Sequence, residues 1–342
     1  MPEEKLTVGV VGVGAIGTVL AACLSKAGAN VVVTDLPPRI AQVKQDGLRV
    51  HWQNQDLCYR VAAVDSIGEL GAIDPECILV ATKAYILPKI APAVAAAAGA
   101  RCLVISAENG IDTEAELARH VPEENVGRMV INLAAGCNAE GAAHIIWFNP
   151  PNAFGLLADG RRGPIERLVE LFNATGLTSE LVDPVTIKKK VFLKTVLTAA
   201  LMPMCAVMEL TMKEAMTCQA TRRLAGDVVS EGLAVGRRLG YEYGEGIWEE
   251  CMGYLDKGGS HHPSMSIDIR NRQPTEIEFI NGKLLEIGSR FGDLRLEVNR
   301  VLVSLLMALE LRNGTRGPGE FPSYIQTAGR TADGARPFKR NR

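Results

Sequence analysis

The sequence predicts an α/β protein in which a doubly wound, largely parallel sheet is followed by an all-α domain. Three observations carry that reading. An apolar run at 7–11 breaks into a glycine turn, Gly12-Val-Gly14-Ala15-Ile16-Gly17. Up to about residue 183, β-branched runs alternate with helix-period segments, as strands and crossover helices do in a parallel sheet. Beyond Asp183 those runs stop, and apolar residues recur at helical spacing.

Taken in order, the strand at 7–11 delivers the chain to the glycine turn, where each glycine has its own reason. Gly12 permits a tight turn out of a buried strand. Gly14 has no Cβ, so the backbone can approach a pyrophosphate, and Gly17 lets the next helix, from about Thr18 to Ala27, pack on the strand. Ala15 and Ile16 belong to the same turn, whose helix N-terminus faces the phosphates. A second strand, 30–34, ends on Asp35. Strands follow at 77–81, 101–106 and 128–133, with helices at 86–97 and 113–119. Runs at 143–148, 153–157 and 177–182 suggest an antiparallel edge closing this first, Rossmann-type domain (1–183). The helical domain (184–312) begins at Asp183-Pro184, with proline suited to a first helical turn. Its helices are expected at 185–208, 212–240 and 275–291, Thr275 and Glu278 forming a capping box that puts Glu276 in the first turn. The segment 313–342, rich in Gly, Pro and Arg, reads as a flexible basic tail.

Bulk properties narrow the classes. A net charge of −2 gives no footprint for nucleic acid or a membrane surface. The polar start, Met-Pro-Glu-Glu-Lys, runs straight into a strand, so no signal peptide is expected, and no stretch reads as reaching the roughly 18 apolar residues of a membrane span. The eight cysteines are scattered without a C-x-x-C pair, as reduced core cysteines are, which points to a cytoplasmic protein with no metal site. The helical domain could pair, so a homodimer is one assembly open to the chain.

Ligands bind at the carboxyl ends of the strands in such a sheet. Two loops besides the glycine turn stand there: Thr82-Lys83-Ala84-Tyr85 and Ser106-Ala-Glu-Asn109-Gly110. Asn109-Gly110 reads equally as a turn dipeptide and as a binding element. In the helical domain, Lys194 sits among Val191, Phe192, Leu193, Val196 and Leu197. It reads either as a snorkelling surface lysine or as a buried one whose neutral form is favoured by desolvation and by Lys190 one turn earlier. The second case would make a general acid for a carbonyl oxygen. Glu276 reads as a helix-dipole carboxylate or as one presented to a ligand.

Together these motifs resemble the ketopantoate reductase family, over roughly residues 5–311. The family's glycine motif is matched by Gly12, Gly14 and Gly17, and its strand-end lysine motif by Thr82-Lys83-Ala84-Tyr85. Its Asn-Gly is matched by Asn109-Gly110, and its aromatic-x-Lys helix by Phe192-Leu193-Lys194 with Pro203 downstream. Its most specific signature is matched by Pro263-Ser264-Met265-Ser-Ile-Asp268, Thr275-Glu276-Ile277 and Asn281-Gly282. The resemblance implies hydride transfer between a nicotinamide, held by the glycine turn, Asp35, Lys83 and Asn109, and the 2-oxo group of a small acid. Lys194 would protonate the ketone, and Glu276 would position substrate hydroxyls and Lys194. Asn109 would also contact the substrate, and Ser264 its carboxylate. Two departures stand out. Thr198 and Met202 occupy, one and two turns after Lys194, places where ketopantoate reductases usually carry Asn, which hints at a more apolar or aromatic acid and makes a D-2-hydroxy acid (mandelate-like) dehydrogenase the alternative. Asp35 stands where the family commonly has a base for the NADP 2′-phosphate. Ribose hydroxyls suit it better, which favours NAD, although Arg39 could still reach a phosphate. A non-catalytic NAD(H) sensor would need neither Lys194 nor Glu276.

Overall fold

The computed structural model describes residues 5–52, 54–138 and 140–326. The chain divides into two compact units, Met1–Thr195 and Val196–Arg342. The first opens with β1 (Thr7–Val11), α1 (Ala15–Lys26), β2 (Asn30–Thr34) and α2 (Pro37–Asp46). Three short strands follow, β3 (Leu48–Trp52), β4 (Gln55–Tyr59) and β5 (Ala62–Val64), then α3 (Ile67–Leu70), β6 (Cys77–Val80), α4 (Leu87–Ala98), β7 (Leu103–Ser106) and α5 (Thr113–Ala118). After these come β8 (Val126–Val130), β9 (Leu133–Cys137), β10 (Ala143–Phe148), β11 (Asn152–Leu156), α6 (Arg162–Ala174) and β12 (Ser179–Leu181).

The main sheet has the order β12-β11-β8-β7-β6-β1-β2-β5. From β5 to β8 every pairing is parallel; β11 runs antiparallel to β8, and β12 parallel to β11. The chain steps outward from β1 through β2 to β5, then returns to β6 on the other side of β1. That reversal is the switch point at which a crevice opens outside the strand ends. Strand residues alternate between two buried faces, as the run of Val, Ile and Leu requires. Val8, Val10, Leu79 and Ile105 pack on α1 and α6 through Val19, Leu20, Leu24 and Phe172. Val11, Ile78, Val80 and Val104 pack on α4 through Leu87, Ala91 and Val94.

The strand expected at 143–148 is present but belongs to a second, four-stranded sheet, β4-β3-β10-β9, rather than to the reversed edge. The hairpin of β3 and β4 carries only a short alternation of buried and exposed residues, too weak a run to read as strands. The run expected at 128–133 is split into β8 and β9. Asn132 between them donates its side-chain amide to the Pro151 carbonyl at 2.7 Å, and its backbone N–H binds Asn152 Oδ1 at 2.8 Å, which takes the chain from one sheet to the other.

Helix α7 (Pro184–Met208) runs across the division between the units. Asp183 caps it, its Oδ1 accepting from the N–H of Val185 at 2.9 Å and of Thr186 at 3.0 Å. Contrary to the sequence reading, this helix is by length and composition able to span a membrane; 61% of its apolar window is buried within the fold.

The second unit continues through α8 (Met212–Thr217), α9 (Gln219–Arg238), α10 (Ile247–Leu255), α11 (Ser264–Arg270), α12 (Asn281–Gly288), α13 (Glu297–Asn313) and α14 (Ser323–Gln326), with no strand among its described residues. The helix expected at 212–240 is two helices, because Cys218 adopts an extended backbone between α8 and α9. The helix expected from 275 starts at Asn281 instead. Thr275 and Glu278 form no capping box; Thr275 Oγ1 donates to Glu310 Oε1 at 2.6 Å, and Glu278 pairs with Arg316 at 2.6 Å. Residues 313–326, expected to be loose, are docked: Arg316 is bound to Glu278 and Glu310, and the Tyr324 carbonyl accepts from Arg300. The remainder of the expected tail, 327–342, lies outside the described residues.

Candidate active site

The glycine turn follows β1 at the switch point. Gly12 has φ +88°, a conformation open to glycine, and a Cβ there would lie 2.8 Å from Thr82 Cγ2 and 3.0 Å from the Ala81 carbonyl. A Cβ on Gly17 would overlap the Gly12 carbonyl oxygen, so the third glycine is what lets α1 close on the turn. Gly14, the N-cap of α1, is exposed, and nothing lies within 4 Å of where its Cβ would be. The turn therefore presents open space to the first N–H groups of α1, at Ala15 and Ile16. That is a cradle with the shape and dipole sign for a pyrophosphate, and it fits a dinucleotide.

Asp35 closes the cradle at the end of β2. Its Oδ2 accepts from the Val13 N–H and its Oδ1 from the Leu36 N–H, each at 2.6 Å. These bonds hold the carboxyl group beside the glycine turn. Arg39 is committed to the protein. Its Nε donates to the Val13 carbonyl at 2.8 Å, Nη2 to Thr18 Oγ1 at 2.9 Å and Nη1 to Gln42 Oε1 at 2.7 Å.

The next two strand ends carry the remaining loops of this unit. Lys83 is half-buried and directly precedes a 3₁₀ turn, Ala84–Ile86. Asn109 lies beyond β7, and its Oδ1 accepts from Lys194 Nζ at 3.3 Å. Lys194 is half-buried, next to the buried Val191 and Phe192 on the helix, and its Nζ reaches the Asn109 loop. Lys190, expected to bias Lys194 towards its neutral form, is instead paired with Glu180 at 2.9 Å, which offsets its charge.

Beneath Asn109 lies a polar network that the sequence reading missed. Thr82 Oγ1 donates to Glu108 Oε1 at 2.7 Å and Ser106 Oγ to Glu108 Oε2 at 3.1 Å, tying the loops after β6 and β7 together. Arg128, 3% exposed, donates to Ser106 Oγ at 2.7 Å and to the Gly110 carbonyl at 2.9 Å, and pairs with Glu114 at 3.3 Å. An arginine inside the otherwise apolar run of β8 was the available signal.

In the second unit, Thr198 and Met202 follow each other on one face of α7, both half-buried. Ser264, first residue of α11, lies with its Oγ 3.9 Å from Met202 Sδ. Glu276 is 4% exposed in the turn before α12. Asn281 explains Pro203: a proline inside α7 has no N–H for the Ala199 carbonyl, and Asn281 Nδ2 donates to that carbonyl at 3.1 Å. Asn299 Oδ1 accepts the other amide proton at 2.9 Å and is itself held by Glu231.

A cradle of this kind at the switch point gives the first unit a Rossmann-type architecture whose glycine turn suits a dinucleotide. Comparison with known proteins narrows the class. Residues 8–152 match the family described as "Ketopantoate reductase PanE/ApbA", and residues 186–310 match "Ketopantoate reductase PanE/ApbA C terminal". The chain belongs to the ketopantoate reductase family and is an oxidoreductase. It is 27% identical over 304 residues to the 2-dehydropantoate 2-reductase of Archaeoglobus fulgidus, covering 88% of this chain and 97% of the relative. With the same enzyme of Pyrococcus abyssi it shares 25% over 313 residues, 90% and 99% of the two chains. The crystal structure of 2-dehydropantoate 2-reductase from Methylococcus capsulatus superposes with a TM-score of 0.79 at 25% identity, over 90% of this chain and 98% of that one. A ternary structure of D-mandelate dehydrogenase with NADH and anilino(oxo)acetate shares the fold at TM-score 0.80 and 21% identity, over 90% and 99%.

Proposed function

We propose that the protein catalyses hydride transfer between a nicotinamide dinucleotide, NAD in preference to NADP, and the 2-oxo group of a small 2-oxo acid. The observation that carries this reading is the Lys194 Nζ–Asn109 Oδ1 bond of 3.3 Å, because it holds a proton donor over a strand-end loop of the dinucleotide-binding unit. The bound nicotinamide supplies the hydride. Gly14, Ala15 and Ile16 would seat the pyrophosphate, and Lys83 and Asn109 would line the rest of the cofactor site. Asp35 would accept from the ribose hydroxyls, while its charge opposes a 2′-phosphate.

Lys194 delivers its proton to the ketone oxygen during reduction and removes it in the opposite direction. Asn109, a carbonyl acceptor without charge, aims the ammonium without taking its proton. Ser264 would bind the substrate carboxylate, and Glu276 would orient substrate hydroxyls and Lys194. Thr198 and Met202 support a second reading, a D-2-hydroxy acid dehydrogenase of the mandelate-like kind. A methionine flanking Ser264 offers a polarisable apolar contact where the family's ketopantoate reductases carry amides.

The test combines a 2-oxo acid panel, including ketopantoate and phenylglyoxylate, assayed with NADH and NADPH, with the variant Lys194→Ala. Removal of the general acid is expected to lower kcat by roughly 10²–10⁴-fold with the NADH dissociation constant unchanged. Surviving turnover would make Lys194 structural.

A further inference from the structure

We propose that Arg316, in the segment after α13, is a positioning residue for Glu276, so that the segment expected to be a loose tail fixes the geometry of the site. This rests on the reading of Glu276 given above. Glu276 lies in a non-helical turn, and Arg316 determines both sides of it. On the N-terminal side, Arg316 Nε donates to Glu310 Oε2 at 2.8 Å. Glu310 Oε1 in turn accepts from the Thr275 N–H at 2.8 Å and from Thr275 Oγ1 at 2.6 Å, while Thr275 Oγ1 accepts from the Ile277 N–H at 3.3 Å. On the C-terminal side, Arg316 Nη2 donates to Glu278 Oε1 at 2.6 Å.

The links are short; the one to Glu310 is dry, and the one to Glu278, whose side chain is 42% exposed, lies at the surface. Glu310 is 2% exposed and the Arg316 side chain 10%. The guanidinium is held from its own segment as well, donating to the Glu320 carbonyl at 2.6 Å. One cation thus joins two carboxylates that flank a third. Only a planar guanidinium fork serves both in fixed directions, which a lysine ammonium cannot do. The following Asn281-Gly282 pair fits the same account. A Cβ on Gly282 would overlap the Tyr324 hydroxyl, so the glycine leaves room for the docked segment on the turn's other flank.

The experiment is a double-mutant cycle on the full chain, with phenylglyoxylate and ketopantoate as probes and NADH as cofactor. Arg316→Ala is expected to lower kcat roughly ten- to a hundredfold through misplacement of the carboxylate, to shift the pH profile of kcat/KM, and to leave NADH affinity unchanged. Arg316→Lys should recover only part of the loss. In a Glu276→Gln background, Arg316→Ala should cost less than about twofold further, because both changes remove the same function. Multiplicative losses, or a folded Arg316→Ala with parental kcat and pH profile, overturn the proposal. Should Arg316→Ala not fold, Arg316→Lys and Glu278→Gln decide it by the same criteria. If Glu276→Gln itself keeps full turnover, the reading of Glu276 fails. If Glu276→Gln loses turnover while the Arg316 variants keep it, that reading stands and the positioning role falls.

Discussion

Asp35 builds the glycine turn, and on the proposed function the same side chain would also set cofactor choice. Both its oxygens accept backbone N–H bonds, one from Val13 inside the glycine motif, so the carboxylate is fixed in place beside the turn. Asp35→Ser should therefore shift the ratio of kcat/KM towards NADPH by about tenfold, or 1.4 kcal/mol, measured with the two cofactors in parallel; an unchanged ratio would remove Asp35 from the specificity argument. Candidate residues of this kind stand out in the sequence because their patterns depend on short spacings: Gly12, Gly14 and Gly17 on one turn, Asp35 at a strand end, Lys194 within an apolar helix. Glu108, Arg128 and Glu310 do not, since each acquires its meaning from partners that only the folded chain brings near. Arg128 binds Ser106 and Gly110, and Glu310 binds Thr275.

Elements followed the same division. Strands β1, β2 and β10 coincide with their sequence runs, whose apolar patterns are continuous and bounded by turns. The start of α12 does not, because Thr275 finds a buried carboxylate stronger than the local cap its spacing offered. The pairing of Pro203 with Asn281 is a case in which one element completes another. Asn281→Leu would bury the Ala199 carbonyl without a donor and is expected to cost about 1–3 kcal/mol, read from chemical denaturation. In a Pro203→Ala background, where residue 203 again carries an N–H, the same substitution should cost distinctly less. Equal costs in both backgrounds would show that the carbonyl is served some other way.

At the scale of the whole molecule, the alternation of strands and helices followed by helices alone was readable, whereas the second sheet and the docking of 313–326 were not. Charge at the helix ends carries a pH dependence. A hydrogen bond from the Thr186 side chain holds the Asp183 carboxyl below its ordinary range, and the backbone N–H of Thr211 does the same for Glu214. A carboxylate depressed in the folded state stabilises fully above its unfolded pKa and loses that contribution as pH falls through the folded value. Thermal stability should thus hold down to about pH 4 and decline below it. The decline should be shallower in a variant combining Asp183→Asn with Glu214→Gln; identical profiles would assign it to other groups. The division at Thr195–Val196 has a further consequence for anyone dissecting the protein. It falls within a continuous helix, one residue past the lysine, where a modular protein would have a tether. Cutting there would leave frayed peptide groups on both pieces, unpaired carbonyls on one and unpaired N–H groups on the other. Lys194 would then sit at a ragged chain end, so the halves cannot be exchanged as cassettes without rebuilding the helix.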